Sequence, residues 1–199
     1  MSRRPDGAFG VSGGFLLLLA WFAAENGLRP TALILSAAAV HEAGHFAALH
    51  LLGAPVRGVR IGLFGAVMEA DRSALGYGAE LLALLAGPGA NLLCAAALNV
   101  PARHMPQLYA AMGAHLTLGI FNLLPIRPLD GGQALERLVS WRFGPAAGEG
   151  MARAAGAVCA ALLCGGLLWL MGKSGGNLWL LPPAAGLLAV CAREVGGRM

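Results

Sequence analysis

Six apolar runs, each close to the length that crosses a lipid bilayer, limit what this chain can fold into. A bilayer core about 30 Å thick needs about 20 apolar residues per helix, and the runs cover residues 9–24, 31–52, 74–100, 105–124, 151–171 and 177–192. Charged residues make up 12% of the 199 positions, against about 25% in an average soluble domain. The sequence therefore predicts an all-α integral membrane protein with about six transmembrane helices. It excludes a disordered chain and a nucleic-acid-binding domain.

The basic residues are placed unevenly between the two sides of a six-span arrangement. With the N-terminus inside, one side carries Arg29, Arg103 and Lys173, and the other carries eleven arginines. Cytoplasmic loops carry an excess of Lys and Arg, so we expect a multi-pass protein of the bacterial cell membrane with both termini cytoplasmic. The eleven are Arg3, Arg4, Arg57, Arg60, Arg72, Arg127, Arg137, Arg142, Arg153, Arg193 and Arg198.

Two connecting segments differ from ordinary loops. Residues 56–70 are rich in glycine and β-branched residues, which predicts a short re-entrant β-hairpin after the second span. Residues 133–141 predict an amphipathic helix on the membrane surface after the fourth span. The four cysteines lie inside apolar runs without a CxxC pair, so we interpret them as small buried hydrophobic residues. They are Cys94, Cys159, Cys164 and Cys191.

A His-Glu-Ala-Gly-His pattern occupies the second run. Residues four apart on a helix share a face, so His41 and His45 point the same way. At a rise of about 1.5 Å per residue from the start of the run, these histidines lie about 15 and 21 Å into it. Ionisable groups at such depth usually serve a site. The pattern predicts that both imidazoles bind one zinc ion and that Glu42 is the catalytic base. The alternative is a set of polar contacts between neighbouring helices.

A zinc ion held by two histidines needs a third protein ligand and an open position. Asp130 is the best candidate, because two prolines break the chain before it and Gly131 and Gly132 allow close approach after it. The alternative is that Asp130 caps the helix that begins near Gln133.

Two asparagines lie at expected helix interruptions. Asn91 ends the segment AGPGAN in the third run, and Asn122 ends the fourth helix before Pro125. Both are candidates for hydrogen bonding to a substrate backbone or to a developing oxyanion, and both are equally compatible with tying helices together. His115 is expected to be an interhelical hydrogen-bond partner rather than a metal ligand.

HEAGH, AGPGAN and NLLPIRPLDGG occur in an order that resembles the site-2 protease (M50) family of intramembrane zinc metalloproteases. The likeness spans roughly residues 41–133 and is greatest to the branch of the stage IV sporulation protein FB. It implies that His41, His45 and Asp130 bind zinc, that Glu42 is the general base, and that Asn122 and the hairpin hold the substrate. One domain is expected over 1–199, with a catalytic core at about 31–133, flanking helices at 9–24, 151–171 and 177–192, and no PDZ or CBS domain.

The function expected is hydrolysis of a peptide bond in a membrane-embedded or membrane-tethered protein, with pro-sigma factor processing in sporulation as the specific case. One Zn²⁺ per chain is the expected cofactor. The partners expected are the substrate, the lipid bilayer and a regulatory membrane protein. Two alternatives belong to other classes: a proteolytically inactive zinc-binding scaffold that regulates partner proteins, and a metal transporter. The compact set of intramembrane ionisable residues fits one bound ion better than a transport path.

Overall fold

A computed structural model describes residues 9–62, 65–72, 75–175, 186–189 and 192. These described residues fall into two compact units, and the chain passes from the first to the second after residue 122. The first unit contains three strands and four helices, and the second contains two further helices with described bounds. In chain order the first unit has β1 (Phe9–Val11), α1 (Gly13–Asn26), α2 (Leu28–Leu51), β2 (Val56–Gly62), β3 (Gly65–Ala70), α3 (Tyr77–Ala102) and α4 (Leu108–Asn122).

The first apolar run is divided between a strand and a short helix. β1 takes its first three residues, and the Ser12 hydroxyl then caps α1 by accepting a hydrogen bond from the Phe15 amide at 3.2 Å. α1 has 14 residues, about 21 Å of helix, which is shorter than a bilayer core. Gly27 alone separates α1 from α2, and its φ of 86° is a left-handed value that favours glycine.

The three strands form one sheet in the order β1-β2-β3. β1 pairs with β2 in parallel, and β2 pairs with β3 antiparallel over the segment where the sequence predicts a hairpin. Met68 and Ala70 of β3 pack against a buried cluster that includes Leu49 of α2. The pairing of Phe9 with Val59 was not expected, because three residues at the start of an apolar run carry no strand signal of their own.

α3 continues through Pro88, where the sequence had suggested an interruption. It spans 26 residues with Pro88 inside the helix. A proline removes one backbone donor, but neighbouring helices and small local adjustments satisfy the freed groups in membrane helices. The prediction of a break at this point was therefore wrong. α3 packs against both α2 and α4.

The second unit contains α5 (Asp130–Phe143) and α6 (Pro145–Lys173), which pack against each other. Gly144, with φ 90°, is the single residue between them. α5 begins three residues before the predicted start at Gln133. A Cβ at Gly148 of α6 would overlap the Ser140 hydroxyl of α5, so glycine is what allows the two helices to approach at this point.

Three helices within the described part of the chain are long and apolar enough to cross a membrane: α2, α3 and α6. The six-span count is not reproduced, because α1 has 14 residues and α4 has 15. The sixth run, residues 177–192, lies mostly outside the described residues. Large apolar side chains are exposed along the helices, as expected where lipid replaces water; examples are Leu17, Leu93 and Leu162.

Candidate metal centre

The two histidines of HEAGH converge on one point. The Nε2 atoms of His41 and His45 lie 3.1 Å apart, with the rings at 80° to each other. Two nitrogens bound at about 2.0–2.1 Å to one tetrahedral zinc ion are separated by about 3.3 Å. The pair therefore already has the spacing that two ligands of one zinc ion require.

A single face of α3 lies against this pair. The carbonyl of Ala83 accepts a hydrogen bond from Nδ1 of His45 at 2.8 Å, and the Asn91 side chain lies 3.3 Å from Nδ1 of His41. Gly87 is midway between these residues, and positions four apart share a helix face. A proton held on Nδ1 leaves the Nε2 lone pair free, as a zinc ligand needs. The backbone of α3 thus sets the metal-binding form of His45.

Glycine allows the close approach of α2 and α3 at this point. A Cβ at Gly87 would overlap the His45 ring, and a Cβ at Gly44 would overlap the Ala86 carbonyl and lie 2.8 Å from the Cβ of Ala90. Sequence reasoning did not assign these two glycines to the site. The signal was present, because small residues in HEAGH and AGPGAN are typical of tightly packed membrane helices.

Asn91 connects the histidine pair to a third helix. Its Oδ1 lies 3.0 Å from Nδ1 of His115 in α4, and Nε2 of His115 lies 3.5 Å from the Cys94 sulfur. Asn91 is fully buried, and His115 is 5% exposed. The interhelical role predicted for His115 is confirmed. Cys94 is more than a buried hydrophobic residue, because its thiol takes part in this network. The substrate-binding role of Asn91 stays a prediction.

The other three predicted site residues lie on three different helices, α2, α4 and α5. Glu42 is half-buried on α2, between the two histidines. Asn122 is the last residue of α4, and its amide donates to the Leu118 carbonyl at 3.0 Å. Asp130 is the first residue of α5, and Leu129 holds the N-cap position, so the alternative in which Asp130 is the cap residue is wrong. A carboxylate in a first helical turn is still favoured by the helix dipole.

The chain around Asp130 is tightly folded within the second unit. A Cβ at Gly131 would overlap the carbonyl of Leu123, and a Cβ at Gly132 would overlap the carbonyl of Ile126. Only glycine at these two positions allows the turn before α5 to pack this closely against the first turn of the helix. The sequence predicted that Gly131 and Gly132 allow a close approach, and the structure shows that they approach the backbone of the preceding turn.

Comparisons with known proteins relate this chain to a family of peptidases. The model for peptidase family M50 matches residues 99–165. Rip3 of Mycobacterium tuberculosis, whose name describes a zinc metalloprotease, is 32% identical over 184 residues, which cover 86% of this chain and 46% of the relative. The matches support membership of peptidase family M50. A second relative is sll0528 of Synechocystis, whose name also describes a zinc metalloprotease; it is 30% identical over 57% of this chain and 32% of its own length.

A solved structure shows the fold. The site-2 protease from Methanocaldococcus jannaschii matches with a TM-score of 0.66 and 22% identity, covering 93% of this chain and 87% of its own length. This chain spans about half or less of the length of the curated relatives it matches. The comparisons do not single out the sporulation branch, so that finer placement stays a prediction.

Proposed function

We propose that this chain is an intramembrane zinc metalloendopeptidase of the site-2 protease type. The observation that carries the proposal is the convergence of the His41 and His45 Nε2 atoms, 3.1 Å apart, with Glu42 directly after His41 in sequence on the same apolar helix. Two imidazole nitrogens at this separation can both coordinate one zinc ion. A glutamate next to them is what a hydrolase adds to such a pair.

Asp130 is proposed as the third ligand. Two imidazoles and one carboxylate form a donor set that suits zinc with one position left open. Asp130 also follows the two prolines that end the fourth apolar run, in the motif shared with the family. The expected stoichiometry is one Zn²⁺ per chain.

The side chains have distinct tasks in peptide hydrolysis. Zinc, when bound, lowers the pKa of a coordinated water molecule and polarises the scissile carbonyl. The Glu42 carboxylate takes a proton from the attacking water and later gives it to the leaving amine. Asn122 has a second amide N–H and a carbonyl oxygen to offer to the substrate backbone.

The substrate class proposed is a membrane-embedded or membrane-tethered protein. A helix hides its carbonyls, so the scissile segment has to be extended. Both edges of β2 are paired with other strands, which places β1 and β3 at the edges of the sheet. We propose β3 as the strand that pairs with an extended substrate segment by β-addition. A pro-sigma factor remains one specific candidate for the substrate, and a regulatory membrane protein remains an expected partner.

The alternative is an inactive zinc-binding scaffold, and Glu42→Gln separates the two. Glutamine keeps the size of the side chain but accepts no proton. We expect the purified Glu42→Gln chain to bind zinc as the wild type does, and to lose about 10²–10⁴-fold in cleavage rate. The matched control is Glu25→Gln, an exposed position at the end of α1, which should cleave normally.

The same variant identifies the substrate. Membrane proteins retained by Glu42→Gln in cells, recovered by mass spectrometry, are then tested for cleavage by the wild type in detergent. Full cleavage by Glu42→Gln would refute the role of the glutamate, and a partner-regulating activity that survives in this variant would favour the scaffold.

A further inference from the structure

Four side chains in the first unit form a buried polar chain that crosses three helices. It runs from the Cys94 sulfur to His115 at 3.5 Å, from His115 to the Asn91 oxygen at 3.0 Å, and from the Asn91 nitrogen to His41 at 3.3 Å. Asn91 is 0% exposed, and His115 and His41 are 5% and 6% exposed. Buried polar groups of this kind have to find partners within the protein.

With neutral imidazoles, the directions of these hydrogen bonds follow from one end. The Ala83 carbonyl can only accept, so His45 donates from Nδ1 and, when neutral, has a lone pair on Nε2. His41 then donates from Nε2 to His45, which leaves Nδ1 of His41 as an acceptor for the Asn91 amide nitrogen.

The same logic continues beyond Asn91. Its Oδ1 accepts from Nδ1 of His115, and the free Nε2 of His115 accepts from the Cys94 thiol. Each hydrogen bond of the chain then has one donor and one acceptor, with one proton assigned to each imidazole. This is the self-consistent arrangement of the chain without a metal.

Metal binding requires the opposite direction at His41. A ligand imidazole gives its Nε2 lone pair to the metal, so its proton has to be on Nδ1. Nδ1 then needs an acceptor, which Asn91 supplies only by turning its amide so that Oδ1 faces His41. The amide nitrogen then donates to Nδ1 of His115, and Nε2 of His115 donates to the Cys94 sulfur. Neither imidazole changes its number of protons.

We propose that metal binding reverses the Cys94–His115–Asn91–His41 chain through a rotation of the Asn91 amide by about 180°. Asn91 and His115 are then positioning residues for the metal ligand His41. This inference rests on the proposed metal site. It assigns the amide of Asn91 to the support of His41 rather than to the substrate.

The tautomer of His115 reports the proposed reversal directly. His115 does not contact the metal ligand His41, because the Asn91 side chain lies between them. Nitrogen NMR of the full chain in detergent, with ¹⁵N-labelled histidine, distinguishes protonated from unprotonated ring nitrogens, and His115→Gln assigns the signal. We expect the proton of His115 to be on Nδ1 without metal and on Nε2 after saturation with zinc. A His115 that keeps its Nδ1 proton in the zinc-bound chain overturns the inference.

Affinity gives an independent test. Asn91→Leu has a similar size and no hydrogen bonds, and we expect its zinc dissociation constant, measured by chelator competition, to rise about 10–100-fold. Asn91→Asp keeps an acceptor for Nδ1 of His41 and should recover most of that loss. The control is Thr31→Val, which removes another buried hydrogen bond of α2, from the Thr31 hydroxyl to the Gly27 carbonyl, and should stay within about twofold.

The outcomes separate this inference from the proposed function. Asn91→Leu that binds zinc within about twofold of the wild type overturns the inference and leaves the proposed protease intact. A wild-type chain that binds no divalent cation overturns the proposed function and this inference together. The NMR measurement needs no variant at Asn91, so a folding defect in Asn91→Leu does not remove the test.

Discussion

Single residues decide whether α2 presents a usable pair of ligands. The spacing of His41 and His45 puts both rings on one face, but their tautomers and angles depend on atoms from α3. The Ala83 carbonyl holds Nδ1 of His45, and the absent side chain of Gly87 leaves room for the ring. The proposed metal site therefore depends on the absence of a side chain at position 87 as well as on the two histidines.

Gly87→Ala tests this steric requirement. A methyl group at position 87 overlaps the His45 ring and has to displace it, so we expect zinc affinity to fall by at least about tenfold. The measurement is chelator competition on the purified chain. Gly89→Ala is the matched control, because it lies on the same helix and a Cβ there meets nothing within 4 Å. Equal zinc affinities in the two variants would show that the ring has room to move.

At the scale of elements, one helix face organises the centre. Ala83, Gly87 and Asn91 recur every four residues on α3 and meet His45 and His41 of α2 in antiparallel order. The β2–β3 hairpin approaches this face at Ala83, because Ala83 belongs to the buried Leu49 cluster on which β3 packs. Helix packing thus positions the proposed metal ligands, and we propose that the sheet aligns the substrate.

The hairpin can be altered without touching the metal ligands. Gly65 pairs with Gly62 and has φ 115°, a value that proline, fixed near −65°, does not adopt. We expect Gly65→Pro to disturb β3 and to lower the cleavage rate about tenfold or more, while zinc affinity stays the same. Gly53→Pro is the control, because it forces the same conflict at φ 78° outside the strands. Normal cleavage by Gly65→Pro would remove the hairpin from substrate binding.

At the scale of the whole molecule, apolar helices and loop charges together predict a membrane topology. α2, α3 and α6 are long and apolar enough to span, and eleven of the 14 basic residues fall on one predicted side. The charge bias predicts that the segment between α3 and α4 is outside and that α5 is cytoplasmic.

Reporter fusions check this topology. Alkaline phosphatase fused after His104, between α3 and α4, should be active, and a fusion after Phe143, at the end of α5, should be inactive. A fluorescent protein at the same points should give the reverse pattern, because it folds on the cytoplasmic side. Phosphatase activity at Phe143 would contradict the predicted orientation.

The sequence by itself determined which side chains are candidates for the proposed metal site. Helical periodicity places two imidazoles on one face. Because ionisable groups at lipid depth are costly, their presence indicates a functional site. The apolar runs likewise predict most of α2, α3 and α6, because a span has to satisfy its own backbone hydrogen bonds. These inferences use only residue spacing and the preference of each side chain for water or lipid. Neither property depends on which helices pack together.

Only the tertiary structure decided which groups surround the histidines. β1 pairs with β2, and Asn91 contacts His41; each contact joins residues about 50 positions apart. Packing against neighbouring helices also accompanies the continuation of α3 through Pro88. No local pattern encodes such contacts, since they depend on how closely two helices approach. Glycines set that distance, and the atoms that they approach are known only once the opposite helix surface is known.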